Sequence, residues 1–314
     1  MTTISTMINY YHSSARARVL SNIDEPKAGS WCHVVQPSSE ELDTVAEKFG
    51  LDRDILNDAI DAYEAPRVEV DKGATYVFAR YCRPEDPDIP TEPILIIHTN
   101  DGIVTVMRSN DNVLEQLTDG TVSVLTTQKT KTFLQILEQI NRSYRLQLNI
   151  VAKQILGFRS QLRQTNVSSV EIIKFIELEE DLNEFLSALQ PQGIVLNALD
   201  SGKYMRLYED DQDLVEDIML NTSELIELSK SRLRSIVNIR QAYDVIATNN
   251  LNRTFRRLTS IAIFLTIPTI IGGLFGMNVA LPFQDYKYAF IVVVALIALT
   301  MLIFINYFRK RKWL

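Results

Sequence analysis

Two long uncharged segments near the C-terminal end of the chain constrain its fold more than any other feature. No Asp, Glu, Lys or Arg occurs from Leu258 to Gln284, and none occurs from Tyr288 to Phe308. Each segment is longer than the roughly 20 residues that an α-helix needs to cross about 30 Å of hydrocarbon. The short connection between them, whose charged residues are Asp285 and Lys287, predicts a hairpin of two transmembrane helices.

Basic residues flank this hairpin at both outer ends and predict its orientation. They are Arg253, Arg256 and Arg257 before the first segment, and Arg309, Lys310, Arg311 and Lys312 after the second. The positive-inside rule places both flanks in the cytoplasm and the tip outside. We therefore expect a multi-pass protein with cytoplasmic N- and C-termini. The alternative, a pair of core helices in a soluble protein, rarely has basic clusters at both outer ends.

Charge is divided unevenly along the chain. Residues 251–314 hold eight basic side chains against Asp285 alone, a net charge of +7, so the rest must carry −14 to give the −7 of the whole chain. An acidic body repels a phosphate backbone, which argues against nucleic acid as a partner and favours multivalent cations. Cys32 and Cys82 have no CxxC spacing and no secretory signal precedes them, which indicates a reduced, cytoplasmic body.

A long stretch without helix breakers precedes the first uncharged segment. Neither glycine nor proline occurs between Gly202 and Pro268, which permits one helix of about 65 residues, or roughly 100 Å at 1.5 Å per residue. Apolar residues recur along it mostly at three- and four-residue spacing, as a packed helix requires: Leu225, Leu228, Ile236, Ile239, Tyr243 and Ile246. The sequence predicts a stalk helix that continues into the first transmembrane helix.

The same spacing continues into the membrane as a stripe of mostly polar or small residues. We call this the polar stripe: Asn252, Phe255, Thr259, Ala262, Thr266, Thr269 and Gly273. Two interpretations remain open. Small and hydroxyl residues allow helices to pack closely, or several copies of the chain line a wet pore around a symmetry axis. One chain has too few spans to enclose a pore, so the second interpretation requires a homo-oligomer.

The N-terminal part mixes strand and helix patterns, which predicts an α/β domain. Strands are expected at Thr75 to Tyr81, Ile94 to His98 and Gly102 to Arg108, and helices at Ser39 to Phe49, Arg53 to Ala62, Lys131 to Gln164 and Val167 to Leu189. The expected division is an α/β domain (1–130), a helical hairpin (131–200), a stalk helix (201–257), transmembrane helix 1 (258–278), an extracellular loop (279–287), transmembrane helix 2 (288–308) and a basic tail (309–314).

The sequence offers no pattern typical of an enzyme. His12, His33 and His98 have no metal-ligand spacing, and no nucleophile motif is visible. The glycines near residue 273 lack the Lys and Ser/Thr of a phosphate-binding loop and lie inside a predicted span. We therefore expect neither catalysis nor a cofactor.

The tripeptide Gly276, Met277, Asn278 directly follows the first span, and the chain ends on a basic run from Lys310 to Leu314. This combination resembles the CorA magnesium transporters. Asn252, Leu258 and Thr259 stand before the tripeptide at the spacing of the family's pore-entry motif. The soluble part also resembles the family, in the order Trp31, Pro37, Phe49-Gly50-Leu51, Asp58-Ala59 and Pro66-Arg67-Val68-Glu69. The resemblance covers nearly the whole chain.

The resemblance implies a funnel-shaped homopentamer in the plasma membrane of a prokaryote, with the lipid bilayer and other copies of the chain as partners. It implies passive influx of Mg²⁺, and of Co²⁺ or Ni²⁺ as further candidates, with Mg²⁺ as both substrate and regulatory ligand. The implied selectivity filter is Gly276, Met277 and Asn278, and the implied pore lining is Asn252, Phe255, Leu258, Thr259, Thr266, Thr269 and Gly273.

The resemblance also implies a regulatory site. Placed without gaps from the tripeptide, Asp217 falls where the family has an acidic residue that senses cytoplasmic Mg²⁺ between subunits. Asp213 and Glu216 lie close to it in the sequence.

Three departures from the family pattern bear on gating and ion choice. Phe275 stands where tyrosine is usual, Val279 to Phe283 lack the frequent acidic Pro-Glu pair, and Phe255 and Thr266 occupy positions often held by methionine. Two alternatives therefore stay open. One is transport of Zn²⁺ or another divalent ion, as in the zinc-transporting branch of the superfamily; the other is a membrane-anchored sensor or scaffold that conducts nothing.

Overall fold

The structure is a computed structural model that describes residues 8–15, 19–83, 90–161, 169–278 and 287–311. The chain divides into two compact units, Met1–Ile239 and Arg240–Leu314. The strands are β1 (Ile8–His12), β2 (Ser21–Ile23), β3 (Ser30–Val35), β4 (Arg67–Asp71), β5 (Ala74–Cys82), β6 (Thr91–His98) and β7 (Gly102–Met107). The helices are α1 (Ser39–Phe49), α2 (Arg53–Asp58), α3 (Glu115–Thr118), α4 (Lys129–Gln161), α5 (Ser169–Asp200), α6 (Glu209–Phe275) and α7 (Ala289–Lys310), with a 3₁₀ turn at Asn112–Leu114.

The seven described strands of the first unit form one mixed sheet in the order β2-β1-β3-β7-β6-β5-β4. The β3–β7 pair is parallel, and the other pairs are antiparallel. Strands β3, β5 and β7 are buried along their whole length, because helices cover both faces of the sheet. Helices α1 and α2 pack against one face, and on α4 the Tyr144 hydroxyl donates to the Arg80 carbonyl of β5 at 2.9 Å.

Local signals in the sequence set the ends of the first two helices. Ser38 and Glu41 form a capping box at the start of α1, and Gly50 ends that helix with a left-handed φ of 64°. Asp52 then caps α2 by accepting from the amides of Asp54 and Ile55. The Phe49-Gly50-Leu51 run that resembles the CorA family thus terminates a helix.

A second group of residues from the same resemblance forms an ion-pair cluster on the sheet. Arg67 lies 2.7 Å from Asp58 and 3.3 Å from Glu69, and it also pairs with Glu64. Its guanidinium lies 3.9 Å from the centre of the Phe78 ring. These contacts tie α2 to the strand pair β4–β5, so this motif stabilises the domain.

Gly102 is required by the parallel pairing of β3 with β7. A Cβ atom at this position would lie 2.2 Å from the carbonyl oxygen of Ser30, the residue paired with it. No side chain fits at that distance, so glycine alone lets the two strands approach here. The Asn100-Asp101-Gly102 run is a turn signal in the sequence, and its glycine also allows the close pairing of β3 with β7.

A buried polar cluster joins three helices of the first unit. Asn141 on α4 donates to the carbonyl of Ile218 at 3.1 Å and to the hydroxyl of Thr222 at 2.8 Å, both on α6. Gln192 on α5 donates to Asn141 at 3.3 Å. All three polar side chains are at most 4% exposed. Such a cluster requires its members to be in register, because an unpaired buried amide costs about 1–3 kcal/mol.

The second unit is a helical hairpin made by the end of α6 and by α7. The rings of Phe264 and Phe308 meet edge to face at 5.7 Å, and Ser260 and Phe308 are 0% and 3% exposed. The start of the first apolar segment therefore packs beside the end of the second, which confirms that the two segments form an antiparallel pair. Residues 279–286 of the predicted loop and 312–314 of the basic tail lie outside the described residues.

The predicted architecture of an α/β domain, a long helix and a second apolar helix is confirmed, with three differences in helix ends. Helix α5 passes through Pro191 to Asp200, beyond the predicted end at Leu189, because Val195, Leu196 and Leu199 are buried. Their burial outweighs the roughly 3 kcal/mol cost of an internal proline. Helix α6 begins at Glu209, later than the predicted start at residue 201, and continues through Pro268 as predicted. Helix α2 ends at Asp58, earlier than predicted.

Two glycine substitutions should change stability in opposite directions. Gly102→Ala should lower the free energy of unfolding by about 1–3 kcal/mol, because the methyl group collides with the Ser30 carbonyl. Gly157→Ala, where a Cβ meets nothing within 4 Å near the end of α4, should raise it by about 0.5–1 kcal/mol. Urea unfolding of the full chain in detergent measures both, followed by Trp31 fluorescence in a Trp313→Phe background. Equal effects of the two changes would contradict the close approach at Gly102.

Candidate ion-conduction site

The polar stripe is exposed along its whole length in the second unit. Its residues, including Phe255 at 57% exposed, contrast with a neighbouring row of buried or half-buried residues: Ser260, Ile263, Phe264, Ile267, Pro268 and Ile271. At 100° per residue the two rows lie about 140° apart around the helix axis. The row that contains Phe264 packs toward α7. The polar stripe therefore lies on the face of α6 that is turned away from its partner helix.

The three threonines of the polar stripe have their hydroxyl protons bound to the helix backbone. Thr259 donates to the Phe255 carbonyl at 2.9 Å, Thr266 to the Ala262 carbonyl at 2.8 Å, and Thr269 to the Leu265 carbonyl at 2.9 Å. A hydroxyl that donates in this way keeps its oxygen lone pairs free. The stripe therefore presents hydrogen-bond acceptors. The water ligands of a hydrated cation point their hydrogens outward, and acceptors are the groups that bind them.

The helix α6 ends at the tripeptide through a close backbone contact. The Gly276 amide donates to the Gly272 carbonyl at 3.0 Å, and the Met277 amide donates to the Leu274 carbonyl at 3.4 Å. A Cβ on residue 276 would lie 3.3 Å from the Gly272 carbonyl oxygen, closer than side chains usually come. Asn278 follows as an exposed residue. Glycine thus allows the tight end of α6 that presents the Asn278 amide group.

The carboxylates expected to regulate transport lie on one exposed face of α6 in the first unit. Asp213, Glu216 and Asp217 are exposed and alternate with Val215 and Ile218, which are 0% and 1% exposed. Among the residues that the structure describes, these three carboxylates have no ion pair, and no group of three or more His, Cys, Asp or Glu residues could hold a metal ion.

One acidic residue of α5 lies partly inside the protein. Asp181 is half-buried, and burial raises its pKa to about 6, with further increases from the charges of Glu177 and Glu180. The three-residue spacing from Leu178 to Asp181 could have indicated this in the sequence, because it places Asp181 beside the apolar face of α5.

Two helices of the described chain are long and apolar enough to cross a membrane, Glu209–Phe275 and Ala289–Lys310. Over the most apolar 18 residues of each helix, only 6% and 0% of the residues are buried. A core helix of a soluble protein would be mostly buried there, so the alternative of two core helices does not fit.

The comparisons with known proteins agree with this organisation. The family model described as CorA-like Mg²⁺ transporter protein matches residues 26–310. A cobalt/magnesium transport protein CorA from Methanocaldococcus jannaschii is 24% identical over 303 residues, which cover 90% of this chain and 91% of the relative. A magnesium transport protein CorA from Wolinella succinogenes is 18% identical over 316 residues, which cover 94% and 95%.

Among solved structures, the CorA magnesium transporter from M. jannaschii superposes with a TM-score of 0.86 at 21% identity, covering 99% of this chain and 100% of that one. An α/β domain that continues through a long helix into a pair of apolar helices defines a class of two-span membrane proteins. Within that class, this chain belongs to the family of CorA-like Mg²⁺ transporters. The resemblance drawn from its sequence is thus confirmed.

Cysteine accessibility should separate the two interpretations of the polar stripe. In a C32A/C82A background, Thr266→Cys should react with Ag⁺ several-fold faster than Ser260→Cys. A thiol in a wet pore can ionise, whereas position 260 is fully buried. The measurement is the free thiol left after timed exposure of the reconstituted protein. Equal protection at both positions would instead support close packing of the stripe against another helix.

Proposed function

We propose that this chain moves divalent cations, Mg²⁺ first among them, passively into the cytoplasm through a pore formed by five copies. The observation that carries the proposal is the polar stripe, which lies on the face of α6 turned away from α7 and leads to Gly276, Met277 and Asn278. Five such stripes around one axis would enclose an aqueous path, and the α7 helices would lie outside it.

The chemistry of the stripe suits an ion that keeps its water. Mg²⁺ is small and gives up its hydration shell reluctantly. Neutral acceptors can bind the hydrated ion without stripping it: the hydroxyls of Thr259, Thr266 and Thr269, and the side-chain carbonyl of Asn278. At the cytoplasmic end, Asn252 supplies another amide. The apolar side chains of Phe255 and Leu258, each 57% exposed, would form a constriction that closes the pore by excluding water.

The basic flanks support an orientation in the cell membrane with both termini in the cytoplasm. Arg253, Arg256 and Arg257 precede the first span, and Arg309, Lys310 and Arg311 end the second. The residues after Asn278 would then face outward, and Asn278 would form the ring that an entering ion meets first.

Membrane potential is a sufficient driving force for this transport. A potential of 100 mV is worth about 2.3 kcal/mol per elementary charge. For a divalent cation this gives about 4.6 kcal/mol, or roughly 2,000-fold accumulation.

Removing the Asn278 side chain should remove the proposed filter. In proteoliposomes with a negative-inside potential, Asn278→Ala should lower Mg²⁺ flux about ten-fold or more, because each copy loses an acceptor worth about 1 kcal/mol. The matched control is Asn250→Ala, which changes an exposed asparagine of α6 outside the polar stripe. This variant should conduct normally.

Competition of Co²⁺ and Zn²⁺ with Mg²⁺ flux ranks the three ions, and a preference for Zn²⁺ would favour the zinc-transporting alternative. Equal flux in both variants would exclude the filter role, and no flux in the parent would favour a scaffold.

Feedback by cytoplasmic Mg²⁺ is proposed to act through Asp217, with Asp213 and Glu216 beside it. A bound ion would join these carboxylates to ligands of a neighbouring copy and hold the pore closed, and its loss would let the charges repel. Both the carboxylates and the polar stripe belong to α6, so the same helix would carry the response to the pore.

Asp217→Ala should therefore raise the internal Mg²⁺ concentration needed to inhibit flux. The control is Glu138→Ala on α4, an exposed carboxylate outside this group, which should leave inhibition unchanged. Flux measured at several internal Mg²⁺ concentrations checks this. Identical inhibition curves for Asp217→Ala and the parent would show that this carboxylate does not sense the ion.

A further inference from the structure

A cavity of about 520 Å³ opens in the first unit where two long helices begin. It lies between the end of β6, the start of α4, the segment before α6 and the start of α6. Its lining includes Lys129, Lys131, Arg206, Tyr208, Asp210 and Asp211. A cavity of this volume is in the range of small-molecule sites, and the transport function proposed above does not use it.

Three basic side chains line this cavity, although the body of the protein is acidic. Lys129, Lys131 and Arg206 have no carboxylate within ion-pair distance among the described residues. The Lys129 ammonium group donates instead to the carbonyls of Thr99 at 3.0 Å and Asn100 at 2.5 Å. Arg206 lies 5.3 Å from the ring of Tyr208, which is 61% exposed. The cavity therefore contains three cations that lack an anionic partner.

Two helix N-termini meet at the same cavity. Helix α4 has 33 residues and helix α6 has 67, and each contributes residues of its first turn to the lining. In α4 the Thr132 amide donates to the Gln128 carbonyl at 2.9 Å and the Gln128 amide donates to the Leu125 carbonyl at 2.7 Å. Among the described residues, the amides of residues 129–131 have no backbone carbonyl partner. Unpaired amides and the positive end of the helix dipole both favour an anion at this position.

The two acidic residues in the lining leave the positive groups available. Asp211 is 6% exposed, and its carboxylate accepts from the Tyr208 amide at 3.2 Å, so it caps α6 and its charge is offset by that helix end. Asp210 is exposed at the cavity edge. Neither carboxylate forms an ion pair with Lys129, Lys131 or Arg206 in the described structure.

We propose that this cavity binds a polyphosphate anion of the size of a nucleoside di- or triphosphate. The phosphates would contact Lys131, Arg206 and the first amides of α4, and the exposed ring of Tyr208 would offer a stacking surface for a base. The site differs from a phosphate-binding loop, whose motif the sequence lacks, because its donors would come from the start of α4 and from the segment before α6. Its place at the start of α6 makes it a ligand site on the helix that also carries the polar stripe.

Calorimetric titration of the full chain in detergent, in buffer with EDTA and no Mg²⁺, tests this site. The probes are ATP and inorganic tripolyphosphate. Lys131→Ala/Arg206→Ala should weaken binding about ten-fold or more, since each lost charge-assisted contact exceeds a typical neutral one. The matched control, Arg142→Ala/Lys153→Ala, removes the same two residue types from exposed positions of α4 and should bind as the parent does.

This binding assay can succeed or fail independently of the flux assays. Weaker binding in the cavity variant alone supports the site. Tighter binding of ATP than of tripolyphosphate identifies the ligand as a nucleotide, whereas equal binding identifies it as a bare polyphosphate. Failure of the parent to bind either probe at millimolar concentration would overturn the proposal. So would an equal loss in both double variants, because binding would then follow overall charge.

Discussion

The absence of water from a bilayer is the constraint on which the second unit depends. Backbone amides and carbonyls that face lipid must find partners inside the protein, and a polar side chain buried in lipid is costly without one. Helix α6 meets this demand through its i→i−4 bonds and through hydroxyls that donate one turn back, at Thr259, Thr266 and Thr269. Polar residues can therefore occupy one whole face of a span while α7 covers another.

Long periodic patterns made much of this fold predictable from the sequence. Helix α6 followed from a stretch without glycine or proline, and the α/β character followed from apolar runs that became β5, β6 and β7. Short or edge strands such as β2, with three residues, carry too little pattern to be found. The end of α5 was missed because burial of Leu196 and Leu199 outweighs a local proline signal, and burial depends on residues distant in the sequence.

The candidate sites were predictable to different degrees. The polar stripe was visible as a spacing, and the structure adds that it faces away from α7. The carboxylates near Asp217 came from resemblance, and the described residues of one copy give them no ion-pair partner. The cavity at Lys131 and Arg206 could not be found from the sequence, because its residues come from positions 98 to 211 and the acidic average of the chain conceals a local group of cations.

The hydroxyls of α6 also bear on proton leakage, which any aqueous path across a charged membrane must limit. A row of hydroxyls relays protons only when each one passes its hydrogen to the next. In α6 each of the three hydrogens points instead to a carbonyl oxygen of the preceding turn. In the proposed pore the threonines would solvate an ion's water, while their own hydrogens form no continuous wire along the helix.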